Sequence, residues 1–164
     1  MVSFAQRGRS LLNMSAVAIV DTTILCNVLN IPTRNSDRAE VMKALKHYLE
    51  EGTTLLLPMA AVYETGNHIA QLSNGRHRRQ FAEKFVTEVK KAIAGEVPWQ
   101  VMQLPTTEEV GMWLTQFPES AMRGAGIGDL SIVKEWDKFV KKAVGRRVFI
   151  WTLDSDLQGY DSAS

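Results

Sequence analysis

Residues 17–25 read VAIVDTTIL, an unbroken apolar run that stops at a carboxylate and two hydroxyls. Near-continuous apolar runs are typical of parallel strands that helices cover on both faces. In open α/β sheets, ligands bind just beyond the carboxyl ends of such strands. Asp21 is therefore a candidate site residue, although an aspartate that caps the following helix would give the same pattern.

Strands and helices alternate along the rest of the chain. Apolar runs predict strands over residues 53–57, 99–104 and 148–152, and the polar alternation within 99–104 places that strand near a sheet edge. This alternation indicates a doubly wound parallel sheet. We predict an α/β protein with a three-layer α/β/α fold and a central parallel sheet of four to five strands. A single domain should cover residues 16–164 and follow an N-terminal arm over residues 1–15.

Local signals predict the limits and faces of individual helices. Asp37-x-x-Glu40 and Thr106-x-x-Glu109 both match the capping box, in which two side chains satisfy free backbone N–H groups at a helix start. The helix that begins after Thr106 should end before Pro118, because proline disrupts a helix interior. A stripe of apolar residues four apart should face the core: Phe81, Phe85, Val89 and Ile93.

Composition limits the classes of function. The chain has 164 residues, 45% of them hydrophobic, which suits one globular domain. Cys26 is the single cysteine, so an internal disulfide framework is excluded and the three histidines form no zinc pattern. No apolar run approaches the ~18 residues that span a bilayer, and Asp21 interrupts the run that resembles a signal peptide. We expect a cytoplasmic protein without membrane contact.

Acidic residues follow the predicted strands or begin the helices after them. In a doubly wound sheet, four acids would lie at the carboxyl-end rim: Asp21, Glu64, Asp129 and Asp154. Crowded carboxylates repel one another, so their gathering indicates a hard divalent cation with oxygen ligands, Mg²⁺ or Mn²⁺. Such an ion can orient a phosphate ester and lower the pKa of an attacking water. We expect Asn67 to extend the polar face of Glu64, and His68 to be a satisfied group rather than a metal ligand.

Four motifs carry these acids: DTTIL at 21–25, the helical Glu64, GIGD at 126–129 leading into LSI at 130–132, and TLD at 152–154. Their kind, order and spacing resemble the motifs of PIN domains, and most closely those of single-domain toxin ribonucleases of the VapC type. The resemblance covers residues 16–157. It implies a central parallel sheet and an endoribonuclease that cleaves single-stranded RNA with a metal-activated water.

The resemblance also assigns roles to individual residues. The four acids would be catalytic metal ligands, with Thr23 and Thr152 as polar supports and Asp156 as an alternative to Asp154. An antitoxin-like protein and a second copy of the chain, as a homodimer, are the partners that it implies. The family usually adds a short last strand, whereas this chain ends soon after Asp156, and the segment between Glu64 and Trp99 is longer and more basic.

Two predicted helical segments are basic although the net charge is only +1. Residues 76–91 and residues 134–147 each carry six basic and two acidic side chains, a local charge of +4. A solvated helix face is the ordinary interpretation of such a segment. Beside an acidic site, the segments become candidate contacts for RNA phosphates. The RNA-binding candidates are Arg76, Arg78, Arg79, Lys141 and Lys142.

Other classes of protein also place an aspartate after the first strand. A haloacid-dehalogenase-like phosphatase needs a second aspartate two positions on, where this chain has Thr23. A receiver-type signalling domain needs paired acids and a lysine after the last strand, which the sequence lacks near Asp154. A catalytically silent PIN-like module that binds RNA or another protein remains as the main alternative, and retention of all the acids argues against it.

Overall fold

The computed structural model describes residues 14–163, so all but the last two residues of the predicted N-terminal arm lie outside the described part of the chain. Within that part, the strands are β1 (Val17–Val20), β2 (Thr54–Leu57), β3 (Trp99–Val101) and β4 (Val148–Trp151). The helices are α1 (Thr22–Val28), α2 (Arg38–Glu50), α3 (Met59–Ala70), α4 (Gly75–Ala94), α5 (Thr107–Met122) and α6 (Ile127–Lys142).

The strands form one parallel sheet in the order β3-β2-β1-β4. Ala18 in β1 pairs with Leu55 in β2 and with Phe149 in β4, so β1 is central and β3 is at an edge, as predicted. After β1 the chain builds outward through β2 and β3, and it then returns to the other side of β1 to form β4. The direction of winding therefore changes between β1 and β4, which is where α/β sheets usually bind ligands.

Helices cover both faces of the sheet. Successive residues of each strand point to opposite faces, so the apolar strands bury side chains on both sides. Ala18 and Val20 pack in a core with residues of α1 to α4, whereas Val17 and Ile19 pack in a second core with residues of α6. All four residues of β1 are buried. The predicted three-layer α/β/α arrangement and the parallel sheet are confirmed.

Several local predictions were wrong. Helix α5 does not end before Pro118 but continues through it to Met122. Proline removes the hydrogen bond to the carbonyl of Leu114, and Leu114 is 53% exposed, so water can satisfy that carbonyl. Asp37 makes no capping hydrogen bond, whereas Thr106 and Glu109 form the complete capping box. Phe81, Phe85 and Val89 pack against the core as predicted, but Ile93 is 70% exposed.

The described C-terminal segment adds no fifth strand. Asp161 forms an isolated antiparallel bridge with Phe149, and the backbone N–H of Ile150 donates to the carbonyl of Tyr160. The sheet therefore has four strands, the lower limit of the prediction. None of the helices in residues 14–163 has the length and apolar character needed to cross a bilayer.

Candidate active site

A cavity of about 370 Å³ opens at the carboxyl ends of β1 and β4, where the winding of the sheet changes direction. Asp21 directly follows β1, Asp154 follows β4, Glu64 lies in α3 after β2, and Asp129 lies in the first turn of α6. All four of these acids line the cavity. We call the four carboxylates the acid site and the space between them the acid cavity. The sheet topology thus brings together residues that are up to 133 positions apart in the sequence.

Asp21 is both a helix cap and a member of the acid site. It is the N-cap of α1, and its side chain is 3% exposed. Its Oδ2 accepts hydrogen bonds from the Thr23 backbone N–H at 3.5 Å, the Thr23 hydroxyl at 2.9 Å and the Thr152 hydroxyl at 2.8 Å. All three bonds end on Oδ2, so they restrain the carboxylate through one of its two oxygens. The two interpretations of Asp21 from sequence therefore apply together.

The two threonines connect the ends of β1 and β4. The Thr23 hydroxyl accepts from the backbone N–H of Leu153 at 3.0 Å, and the Thr152 hydroxyl accepts from the backbone N–H of Asp154 at 2.9 Å. Each hydroxyl thus donates to Asp21 and accepts from the segment that carries Asp154. This network ties the segment that carries Asp154 to Asp21.

Glu64 is held from two sides. Its Oε2 accepts from the Thr22 hydroxyl at 3.1 Å, and its Oε1 lies 3.6 Å from His68 Nε2, one turn further along α3. A Cβ placed on Gly128 would lie 3.8 Å from Glu64 Oε2, so the first turn of α6 is directly adjacent to this carboxylate. Asp129 follows Gly128 directly, so this turn brings it to the same cavity as Glu64.

Asp129 shows that the acids interact electrostatically. Partial burial, followed by the negative charges of Asp21, Glu64 and Asp154, raises the pKa of Asp129 to about 6 from an ordinary value of 3.8. The N-cap of α6 is Gly126, so Asp129 lies in the first turn of the helix and does not cap it. Its carboxylate therefore belongs to the acid site.

Asp154 and Asp156 are separated by the structure. Asp154 is half-buried and lines the acid cavity, whereas Asp156 is exposed and does not line it. The backbone N–H of Asp156 donates to Asp154 Oδ1 at 2.9 Å, which helps to orient the inner carboxylate. Asp154 is therefore the acid that joins the site.

The two polar neighbours of Glu64 on α3 line different cavities, and the prediction that His68 is a satisfied group is wrong for its Nδ1. His68 lines the acid cavity and lies next to Glu64, and its Nδ1 is buried without a hydrogen-bond partner in the described structure. Asn67 is exposed and lines a neighbouring cavity that Glu64 also lines. Glu64 therefore has one polar neighbour toward each cavity, Asn67 at i+3 and His68 at i+4.

Arg34 was also missed. Among the described residues that line the acid cavity, it carries the only guanidinium or ammonium group. Its backbone N–H donates to the carbonyl of Ile31 at 3.0 Å, and Asn35 donates to Asn30 at 2.7 Å, so hydrogen bonds within the loop fix its shape. The preceding Thr33 adopts a φ of 66°, a region that β-branched residues rarely occupy. Such strain tends to occur at functional sites, but no periodic pattern in the sequence marks it.

Cys26 also lines the acid cavity but is not prepared for nucleophilic chemistry. Burial raises the pKa of its thiol to about 11, with a smaller opposing effect from the Thr65 hydroxyl. The thiolate is the reactive form of cysteine, and such a pKa keeps it scarce at neutral pH.

The donor set suits a hard divalent cation. All four acids offer carboxylate oxygens. Burial and then the repulsion from the other three acids raise the pKa of Asp129, and a positive charge between the acids would relieve that repulsion. However, no three His, Cys, Asp or Glu side chains within residues 14–163 are arranged as a ready-made metal site. An ion would therefore have to draw the carboxylates closer together, and the exposed faces of Glu64 and Asp154 leave room for that adjustment.

The basic candidates lie outside the acid cavity. Arg78 donates to the backbone carbonyls of Leu72 and Ser73 at the end of α3, and Arg79 pairs with Glu83 at 3.0 Å. Arg76, Lys141 and Lys142 are exposed on α4 and α6. The side chain of Arg78 therefore has a structural role in addition to any role on the surface.

Solved structures share this architecture. FitAcB from Neisseria gonorrhoeae matches with a TM-score of 0.54 at 16% sequence identity, over 87% of this chain and 91% of that chain. VapBC2 from Rickettsia felis, bound to a DNA fragment from its promoter, matches with a TM-score of 0.50 at 11% identity, over 83% of this chain and 99% of that chain. No protein-family model and no curated protein matches the sequence. The fold is PIN-like, as the motifs predicted.

Proposed function

We propose that the protein is a metal-dependent endoribonuclease that hydrolyses phosphodiester bonds of single-stranded RNA. The observation that carries this proposal is the acid site, in which carboxylates from four separate segments line one cavity at the point where the sheet changes its winding direction. The PIN-like fold and the motif resemblance to VapC-type ribonucleases support the same activity.

Asp21, Glu64, Asp129 and Asp154 would hold Mg²⁺ or Mn²⁺ through carboxylate oxygens. When bound, the ion would supply charge neutralisation at the phosphate and a lower pKa for the attacking water. The chain's own contribution is to position these oxygens. Thr23 and Thr152 hold Asp21 and the start of the Asp154 segment, and Thr22 holds Glu64.

The phosphate backbone of RNA needs positive charge near this acidic cavity. Arg34 is suited to contact a phosphate there, because a guanidinium presents paired N–H donors to phosphate oxygens. Arg76, Lys141 and Lys142 are exposed and available for further contacts along the RNA strand. Such contacts contribute affinity that falls as the salt concentration rises.

The same resemblance supports a proposal for the partner, the assembly and the location of the protein. We propose that the chain is the toxin of a cytoplasmic toxin–antitoxin pair, with an antitoxin-like protein as its partner and a homodimer as its assembly. The fold similarity to FitAcB and VapBC2 supports a partner protein of this kind. Size-exclusion chromatography with light scattering on the purified chain tests the homodimer.

A cleavage assay tests the proposed activity. We expect the protein to cut a labelled single-stranded RNA in magnesium or manganese, to stop in excess chelator, and to cut duplex RNA and DNA poorly. Glu64→Gln keeps the shape of the side chain but removes one charge of the acid site, so cleavage should fall by about a hundredfold or more. Glu96→Gln, at an exposed glutamate just after α4, is the matched control and should cleave like the parent. Undiminished cleavage in chelator would contradict the metal dependence.

A catalytically silent RNA-binding module is the second candidate. It is favoured by one observation, that the described carboxylates are not arranged as a ready-made metal site. This alternative predicts RNA binding without cleavage on every substrate in the same assay. A metal-dependent product from any of the RNAs would exclude it.

A further inference from the structure

His68 lies on α3 one turn after Glu64 and contacts the carboxylate of Glu64 at the acid cavity. Its Nε2 is 3.6 Å from Glu64 Oε1, and its side chain is 16% exposed, against 44% for that of Glu64. Both residues line the acid cavity, but of the two only Glu64 also lines the neighbouring cavity. His68 therefore lies on the side of Glu64 that faces the other acids.

The carboxylate of Glu64 needs a contact on this side, because its side chain borders both cavities. The Thr22 hydroxyl donates to Oε2 at 3.1 Å and holds that oxygen close to the start of α1. A carboxylate held at one oxygen can still turn about it. His68 contacts the second oxygen, Oε1, so Thr22 and His68 together restrain both oxygens of the carboxylate. At 3.6 Å the histidine contact is looser than a hydrogen bond, so it guides Oε1 without fixing it.

The unpaired Nδ1 of His68 indicates which ring nitrogen carries the proton in the neutral ring. Nδ1 is buried and has no hydrogen-bond partner in the part of the chain that the structure describes. A proton on Nδ1 would leave a buried donor unpaired and would turn the lone pair of Nε2 toward a carboxylate, and both arrangements cost free energy. A proton on Nε2 avoids both, because it faces Glu64 Oε1. The structure thus favours the tautomer with Nε2–H.

This tautomer leaves His68 without a free ligand atom for an ion in the acid cavity. The proton occupies Nε2, and Nδ1 is buried. His68 therefore acts on a bound ion through Glu64 and not by direct coordination. Groups that contact a metal-binding side chain in this way orient it, and their removal typically costs 10-fold to 100-fold in metal affinity or activity.

We propose that His68 is a positioning residue, which directs Glu64 Oε1 toward the other acids and thereby strengthens the binding of a divalent cation at the acid site. This inference rests on the proposed function. The spacing alone does not create the role, because the same pairing occurs on α2, where His47 Nε2 lies 3.3 Å from Glu51 Oε2. Those two side chains are 61% and 58% exposed and border no acid cavity. An exposed pair of this kind contributes little, and it supplies a matched control.

Manganese binding tests the role without RNA, with the free ion measured by electron paramagnetic resonance. His68→Leu removes the N–H donor and should weaken manganese binding by roughly tenfold or more. His68→Gln should retain most of the affinity, because its amide also presents an N–H donor. His47→Leu should bind manganese like the parent. In the cleavage assay, His68→Leu should need more manganese for its half-maximal rate, whereas its rate at saturating manganese should change much less.

A second measurement examines the metal-free protein. NMR of ¹⁵N-labelled histidine, in chelator, should show the proton of His68 on Nε2, and Glu64→Leu should shift the Nε2–H resonance. A proton on Nδ1 would contradict the proposed contact. Thermal melting in chelator controls for folding. Equal losses of manganese affinity in His68→Leu and His68→Gln, with both variants melting lower than the parent, would mean that the ring only packs and would overturn the positioning role.

The same experiments separate this inference from the proposed function. If the parent binds manganese through His68 and Glu64 but cuts no RNA, the nuclease proposal fails and the positioning role survives. If the parent cuts RNA with manganese, and His68→Leu matches it in manganese affinity, the positioning role is refuted and the nuclease proposal survives. A parent that binds no manganese would refute both.

Discussion

Asp129 makes the electrostatic state of the acid site measurable. Its folded pKa of about 6 lies above its ordinary value of 3.8, so the folded state binds the proton more tightly than the unfolded state. The stabilisation from this protonation is fully present below the ordinary pKa and is lost as the pH rises through about 6. In the absence of metal, the acid site should therefore destabilise the fold at neutral pH.

Asp129→Asn should remove that pH dependence. In chelator, its free energy of unfolding relative to the parent should increase between pH 4 and pH 7 by on the order of 1 kcal/mol, a value reduced because Asp129 is only half-buried. Urea unfolding at several pH values measures this difference. Asp156→Asn, which changes an exposed carboxylate outside the cavity, should track the parent. A pH-independent difference for Asp129→Asn would contradict the coupling between the acids.

Sequence reasoning was most successful at residues whose position follows from backbone topology. Asp21 could be placed at the site because it directly follows a buried apolar strand, whereas the sequence left Asp154 and Asp156 as alternatives after the last strand. Arg34 and His68 could not be assigned from the sequence. Arg34 lies in an irregular loop, and the position of His68 depends on which side of α3 faces the cavity. Glu135 belongs to a segment that the sequence marks as basic and helical. Its burial could not be predicted, because it depends on the packing of α6 against the rest of the fold.

The two capping-box motifs, at Asp37 and at Thr106, have different backbone conformations although they match the same sequence pattern. Thr106 has the extended backbone that an N-cap requires, with φ −71° and ψ 159°, whereas Asp37 has φ −104° and ψ 17°. The difference originates before α2, where the backbone N–H of Asp37 donates to the side chain of Asn27. A long-range contact thus overrides a local signal that is the same in both segments.

Alanine substitutions at the two positions should therefore differ. Thr106→Ala removes both the hydroxyl acceptor and the reciprocal geometry of the box, so the free energy of unfolding should fall by about 1 kcal/mol. Asp37→Ala removes no capping bond and should change it by less than about 0.5 kcal/mol. Urea unfolding of both variants decides this. Equal losses would mean that Asp37 caps α2 in solution.

At the scale of the whole molecule, the sequence predicted parallel strands and covering helices but not their order. The order β3-β2-β1-β4 depends on which strands pair over long distances, and such pairing is set by packing of both sheet faces together. This order matters for function because it puts the change of winding between β1 and β4. Asp21 and Asp154 lie on either side of that point, which explains why acids so distant in sequence share one cavity.

Thermal melting with and without manganese shows whether these acids form one metal site. Because a ligand that binds only the folded state raises its stability, manganese should raise the melting temperature of the parent. Asp154→Asn should lose most of that increase, whereas Asp156→Asn, two residues away and outside the cavity, should keep it. Equal manganese shifts in all three proteins, or no shift in the parent, would contradict a shared metal site.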